Sequence, residues 1–145
     1  MTDKVDLEFK GYYLEKNKKG IPAQSGIYCV YRSVYSQSSD TVSLKELLYI
    51  GESANMRDRV ADHEKEPDWK KHLVHGETLC FSYTPIVTER ERVEAALIYK
   101  HKPVENSEYR NRFPFCTLRV TTSGRNWGLE RDFTVFNTNR RDIGY

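Results

Sequence analysis

Two strand-forming runs separated by a polar tip fix the centre of whatever this chain folds into. Gly26 to Tyr35 alternates and is rich in Ile, Val and Tyr; Ser36-Gln37-Ser38-Ser39-Asp40 is a turn; Leu44 to Ile50 returns as the partner strand. The pattern predicts a β-hairpin with a long polar tip. Further strands are predicted at Phe9 to Leu14, ended by Asn17-Lys18-Lys19-Gly20, and at Thr78 to Tyr83. Ser53 or Asn55 caps a helix through Met56 and Val60 to about Glu64; Pro67 breaks it, and a helical turn or two follows to Val74. Thr88-Glu89-Arg90-Glu91 reads as a capping box for a helix through Val93, Ala96, Leu97 and Lys100, before Pro103. Cys116 to Thr122 and Leu129 to Phe136 flank a turn and make a C-terminal hairpin. The expected architecture is α/β of the α+β kind. It has a small mixed, largely antiparallel central sheet flanked by helices, with the C-terminal hairpin added.

At 145 residues, 38% apolar and 30% charged, the chain is expected to be one globular domain, 1–145, with a real core. No apolar stretch approaches the roughly 20 residues of a membrane span. Met1 to Asp6 does not open into a signal peptide, so a cytoplasmic protein without membrane contact is expected. Cys29, Cys80 and Cys116 are scattered and odd in number, which predicts buried free thiols rather than a disulfide or zinc framework. Net charge is +2, but it is unevenly spread. From Arg110 to Tyr145 there are seven arginines, no lysine and three acids, against a slightly acidic remainder. Arginine forks onto phosphate and stacks on bases, so this tail favours a polyanionic partner.

Gly26-Ile27-Tyr28 lies in the first hairpin strand, and Tyr49-Ile50-Gly51 closes the second. Arg59 follows Tyr49 by ten residues, with His63 one helical turn beyond. Then come Glu94-Ala95-Ala96-Leu97-Ile98, Lys102-Pro103, and Asn106 twelve residues after the glutamate. This ordered set resembles the GIY-YIG nuclease family, over about 25–106; the arginine-rich stretch 107–145 lies outside the resemblance. The resemblance implies a divalent-metal-dependent endonuclease hydrolysing DNA phosphodiester bonds, with Tyr28, Tyr49, Arg59, His63 and Glu94 as catalytic residues.

In that reading Glu94 holds a single Mg²⁺ or Mn²⁺ and Arg59 clamps the phosphate. Tyr49 is the base that activates water, with Tyr28 hydrogen-bonded beside it. A free phenol titrates near 10, so Tyr49 needs cationic help to work at neutral pH. His63 has two open roles, accepting the Tyr49 proton or contacting phosphate. Arg59 and His63, four residues apart, are expected on one helix face. Glu94, at the apolar border of its helix, wants a cation; the alternative is an ordinary salt bridge. Asn106 is expected to orient Glu94 or to close the end of its helix. Gly51 is expected to let substrate approach closely, and Gly26 to be a strand-entry glycine. Arg57, which points off the Arg59 face, joins Gly51, Lys102 and Arg125 as expected nucleic-acid contacts. Trp127, beside Arg125 at a hairpin tip, either stacks on a base or faces the core.

Twenty residues separate Tyr28 from Tyr49, about twice the gap of compact family members, and Glu52 stands where many relatives carry lysine. No zinc finger, helix-turn-helix or helix-hairpin-helix is read in the sequence, so specificity is expected from the domain's own loops, the Arg110 to Tyr145 extension, a dimer or a partner. The chain is expected to act as a monomer or homodimer on DNA, with RNA open as a substrate. The competing expectation is a nucleic-acid-binding module of the same fold that has lost catalysis.

Overall fold

The computed structural model describes residues 2–139. Six strands, β1 (Asp3–Leu14), β2 (Gly26–Ser36), β3 (Thr41–Ser53), β4 (Thr78–Pro85), β5 (Leu118–Gly124) and β6 (Asp132–Val135), form one sheet in the order β3-β2-β4-β1-β5-β6. Every pairing is antiparallel except β1 with β5. Among the described residues three helices accompany the sheet: α1 (Met56–Ala61), α2 (Glu66–Lys70) and α3 (Arg90–His101), with a 3-10 turn at Glu15–Gly20. The mixed α+β architecture expected from the sequence is the one observed. Among the described residues no helix is long and apolar enough to cross a membrane.

The central hairpin pairs from Gly26 opposite Ser53 to Ser36 opposite Thr41, so both strands run further than the residue pattern alone marks out. Alternation along β2 separates the core into two layers. Ile27, Cys29 and Tyr31 pack beneath α3, whereas Tyr28 and Val30 pack on the other face with Met56, Val60 and Trp69 of α1 and α2. The register of β3 shifts where Val30 faces Tyr49 and Tyr31 faces Leu47. The extra residue, Leu48, lets Leu48 and Tyr49 both contribute to the α1/α2 layer while Ile50 joins the α3 layer.

The leading strand is twelve residues, not the six expected from Phe9 to Leu14. Its first half pairs in parallel with β5, Asp3 opposite Leu118 through Phe9 opposite Gly124. Its second half pairs antiparallel with β4. That strand ties the C-terminal hairpin into the main sheet. Leu118, Val120, Phe133 and Val135 are buried in the same layer as α3. Arg140, Arg141 and Asp142 of the arginine-rich tail lie outside the described residues.

Local chemistry departs from expectation at several helix ends. Asn55 caps α1, its side chain accepting from the Asp58 amide, but the helix stops at Ala61 because Asp62 leaves helical geometry (φ −140°, ψ 75°). Pro67 does not break a helix; it sits in the first turn of α2, where a missing N–H costs nothing. The capping box at Thr88 does not form. Glu89 precedes α3 in the left-handed region (φ 63°) with no side-chain cap. Glu91 instead accepts from the Tyr109 hydroxyl at 2.6 Å. Lys100 is exposed beside Glu130, while Ala95 and Ile98 join the buried face of α3. Cys29 and Cys80 are buried free thiols as expected, but Cys116 is exposed.

Candidate active site

Tyr28 is almost fully buried near the start of its strand, and Gly51 lies directly across from it on β3. A Cβ at position 51 would fall 2.3 Å from the Tyr28 hydroxyl. Gly51 therefore makes room for the Tyr28 phenol, a different role from the substrate approach expected of it. Gly26 is likewise more than a strand-entry residue. A Cβ there would meet the Thr84 carbonyl at 2.4 Å and Met56 at 2.7 Å, so its absence lets α1 sit on the hairpin.

The Tyr28 hydroxyl bonds to His63 Nε2 at 2.9 Å, not to Tyr49 as expected. His63 lies past the end of α1, in the turn before α2, so the helical i, i+4 arrangement with Arg59 does not exist. Its Nδ1 accepts from the Lys65 backbone amide at 3.1 Å. Burial, then the nearby Arg59 charge, lowers its pKa to about 4, so the ring is neutral at physiological pH. With Nδ1 accepting, the single ring proton is on Nε2 and is donated to the Tyr28 oxygen. That tautomer has no free nitrogen for the Tyr49 proton, and His63 serves instead to fix the Tyr28 phenol.

Trp69 completes this layer. It is fully buried, with its ring centroid 4.5 Å from that of His63 and 5.2 Å from that of Tyr49. Sequence reasoning missed it; the only signal was a single tryptophan in the otherwise charged and polar run 64–71. The Tyr28 and Tyr49 rings are 6.3 Å apart and tilted. Lys65 places its ammonium 5.9 Å from the Tyr49 ring centre and 4.0 Å from Glu105. Burial, and after it the Glu94 carboxylate, pushes the Tyr49 phenol up to about 12, while Arg59 opposes the rise. The phenol is thus harder to ionise than a free one, and the need for cationic help is greater than the sequence implied. Tyr28 is raised still further, chiefly by burial.

Asn106 does neither of the two things expected of it. It is buried, its Oδ1 accepting from the Ile50 amide and its Nδ2 donating to the Ile50 carbonyl, both at 2.9 Å. The neighbouring Glu105 amide donates to the Leu48 carbonyl at 2.9 Å. Since β3 is an edge strand, these contacts cover its free side on either flank of Tyr49 and hold the Tyr-Ile-Gly segment.

Glu94 projects from α3, largely shielded from solvent, and makes no ion pair among the described residues. Burial, then the neighbouring Glu52, Glu108 and Glu91 carboxylates, raises its pKa to about 8, partly offset by the Glu52 amide. The salt-bridge alternative is not what is seen. The Glu94 charge raises the pKa values of both Tyr49 and Tyr28, and the Arg59 charge lowers them. Among the described residues no three His, Cys, Asp or Glu side chains cluster as a metal cage. A single partly desolvated carboxylate without a cation suits a hydrated divalent ion that draws its other ligands from water and substrate.

Arg59 is held by Glu64 in a two-pronged contact of 2.5 and 2.7 Å. The pair keeps Arg59 charged and, chiefly through that hydrogen bonding, drops Glu64 to about 2. Glu52, the anion standing where many relatives carry lysine, pairs with Arg90 at 2.8 Å. The other expected nucleic-acid contacts are engaged with the protein itself. Arg57 donates to the Ile21 carbonyl at 2.9 Å. Lys102 donates to the carbonyls of Tyr99 and Arg110, which closes the end of α3. Arg125 lies over the Tyr12 ring, 5.8 Å from its centre, beyond β5. Trp127 packs edge-on against Tyr31 and is 44% exposed, so it is neither a core residue nor a free stacking platform.

Similarity to known proteins points the same way. The chain is 30% identical over 100 residues to "Excinuclease cho" of Salmonella typhi, covering 69% of this chain and 31% of that protein. It is 29% identical over 100 residues to "Excinuclease cho" of Escherichia coli K12, with the same coverage. To "UvrABC system protein C" of Fervidobacterium nodosum it is 28% identical over 117 residues, 79% of this chain and 18% of that one. The chain matches less than a third of the length of these curated relatives. No family model matches, and no solved structure matches.

Proposed function

We propose that this chain is a nuclease of the GIY-YIG type that hydrolyses DNA phosphodiester bonds in a repair setting, using one divalent metal ion. The observation that carries the reading is Glu94, a shielded carboxylate held near 8 without a cationic partner among the described residues, beside two phenols and a guanidinium. Similarity to proteins named excinuclease supports a nuclease acting on DNA.

Glu94 would hold Mg²⁺ or Mn²⁺, which when bound supplies positive charge to the nonbridging phosphate oxygens and helps ionise nearby groups. Arg59 forks onto the phosphate and stabilises the charge that grows as the phosphorus is attacked. Tyr49, once it has given its own proton to solvent, accepts the proton of the attacking water as phenolate; a new P–O bond forms, the bond to the 3′ oxygen breaks, and the departing oxygen takes a proton from water. Tyr28, buried and held by His63, keeps its own hydroxyl proton free for a partner other than His63, because its oxygen already accepts from Nε2–H. Trp69 and Asn106 keep the Tyr49 segment in place.

The Arg59–Glu64 pair favours the second reading, a binding module whose arginine is already occupied. A plasmid-nicking assay with Mg²⁺ separates the two, run on the parent, Arg59→Ala and Glu94→Ala, with DNA and RNA in parallel. Cleavage by the parent and loss of at least 100-fold in both variants, with DNA binding kept, supports the enzyme. A parent that binds DNA but cuts nothing across Mg²⁺ and Mn²⁺ leaves the binding module.

A further inference from the structure

One cleft of the molecule lies away from the phenol cluster. A cleft of about 630 Å³ opens where the start of the 3-10 turn, the tip of the β2–β3 hairpin and the end of β5 meet. Tyr12, Lys16, Tyr35 and Arg125 line it. Tyr28 and Tyr35 are on the same strand, seven residues and so roughly 23 Å apart, which puts the cleft at the other end of the sheet.

The lining is unusual in how it is paired. Each tyrosine ring carries a cation, Lys16 at 5.2 Å from the Tyr35 centre and Arg125 at 5.8 Å from the Tyr12 centre. Both rings are fixed through their hydroxyls. Tyr35 donates to Asp40 at 2.8 Å, and Tyr12 accepts the Trp127 amide at 3.2 Å. Tyr12 is also locked edge-on against Tyr31, 5.9 Å away. Fixed aromatic rings joined to exposed cations, in a cleft of ligand size, match what an unpaired nucleotide requires: a flat surface for the base and positive charge for its phosphate. A duplex offers no free base face to such a cleft. An apolar peptide would leave Lys16 and Arg125 without partners.

We propose that this cleft is a second nucleic-acid site that takes unpaired nucleotides of a single strand, so that the protein grips single-stranded DNA away from the place where it cuts. The proposal rests on the nuclease reading for its biological sense, but it is tested by binding rather than by cleavage. The 145-residue chain carrying Glu94→Gln, to prevent cutting, is titrated against fluorescein-labelled oligo(dT) and a blunt duplex of equal length. An iodouracil-substituted oligo(dT) is photo-crosslinked to the same protein and mapped by mass spectrometry.

Crosslinks are expected at Tyr12 or Tyr35. Lys16→Ala/Tyr35→Leu is expected to weaken oligo(dT) binding at least tenfold while duplex affinity changes less than twofold; circular dichroism and the melting temperature check that the variant is folded. Crosslinks confined to the Tyr49 and Lys65 surface, or equal oligo(dT) affinity in parent and double variant, overturn the cleft. A parent that nicks plasmid yet shows that equality sinks the cleft alone and leaves the nuclease standing. A parent that binds oligo(dT) through Tyr12 and Tyr35 but cuts nothing sinks the nuclease and keeps the cleft.

Discussion

At the scale of single residues, the site is governed by how burial shifts charge. Glu94 titrates at about 8 in the fold against about 4.5 in a free chain, so the native state keeps a proton that the unfolded state releases between those values. Stability contributed at this position is therefore full below about pH 4.5 and declines as pH rises through 8, by on the order of 3 kcal/mol after discounting for its partial exposure. Glu94→Gln removes that decline. Urea denaturation should show parent and variant alike near pH 5, and the variant more stable by a few kcal/mol at pH 8.5; parallel curves at both pH values would refute the assignment. Gly51 offers a steric test of the same neighbourhood. Gly51→Ala drives a methyl into the Tyr28 phenol and should cost about 1–3 kcal/mol, with loss of nicking beyond what stability explains. Retained activity would mean that the Tyr28 position is irrelevant to cutting.

At the scale of elements, the edge strand β3 and the start of α3 carry the contrast between what was expected and what formed. Asn106 substitutes for a missing neighbour strand at Ile50. Asn106→Ala leaves a buried amide and carbonyl unpaired and should destabilise by roughly 2–3 kcal/mol. Hydrogen exchange at the Ile50 amide should accelerate more than at amides of β4. Thr88, by contrast, caps nothing. Thr88→Ala should stay within about 0.5 kcal/mol of the parent, whereas Asn55→Ala, which removes a real cap, should cost about 1 kcal/mol. Chemical denaturation of the two variants side by side decides it; a cost at Thr88 equal to that at Asn55 would restore the capping box. A four-residue motif shows which side chains could cap, but whether they do depends on backbone geometry. At Glu89 the chain enters the helix from the left-handed region and the motif has nothing to cap.

At the scale of the whole molecule, β1 joins the hairpin half of the sheet to β5 and β6. A chain ending at residue 115 would expose Leu7 and Phe9 and strip Leu118, Val120, Phe133 and Val135 from the α3 layer. Such a truncation should lack a cooperative thermal transition; a sharp melt with native-like near-ultraviolet dichroism would make the C-terminal strands a mere appendage. The sequence by itself determined the elements whose signal is local: the alternating hairpin strands, the strand at Thr78 to Tyr83, the existence of α3 and the spacing that nominates Tyr28, Tyr49, Arg59 and Glu94. Those depend on side-chain periodicity and on distances along the chain. Only the tertiary structure decided that His63 bonds to Tyr28, that Trp69 backs Tyr49, that Asn106 holds β3 and that Glu64 occupies Arg59. Each of these is a contact made through space, fixed by a strand bulge, a helix that ends early or a shared dielectric, and no residue pattern along the chain encodes such pairings.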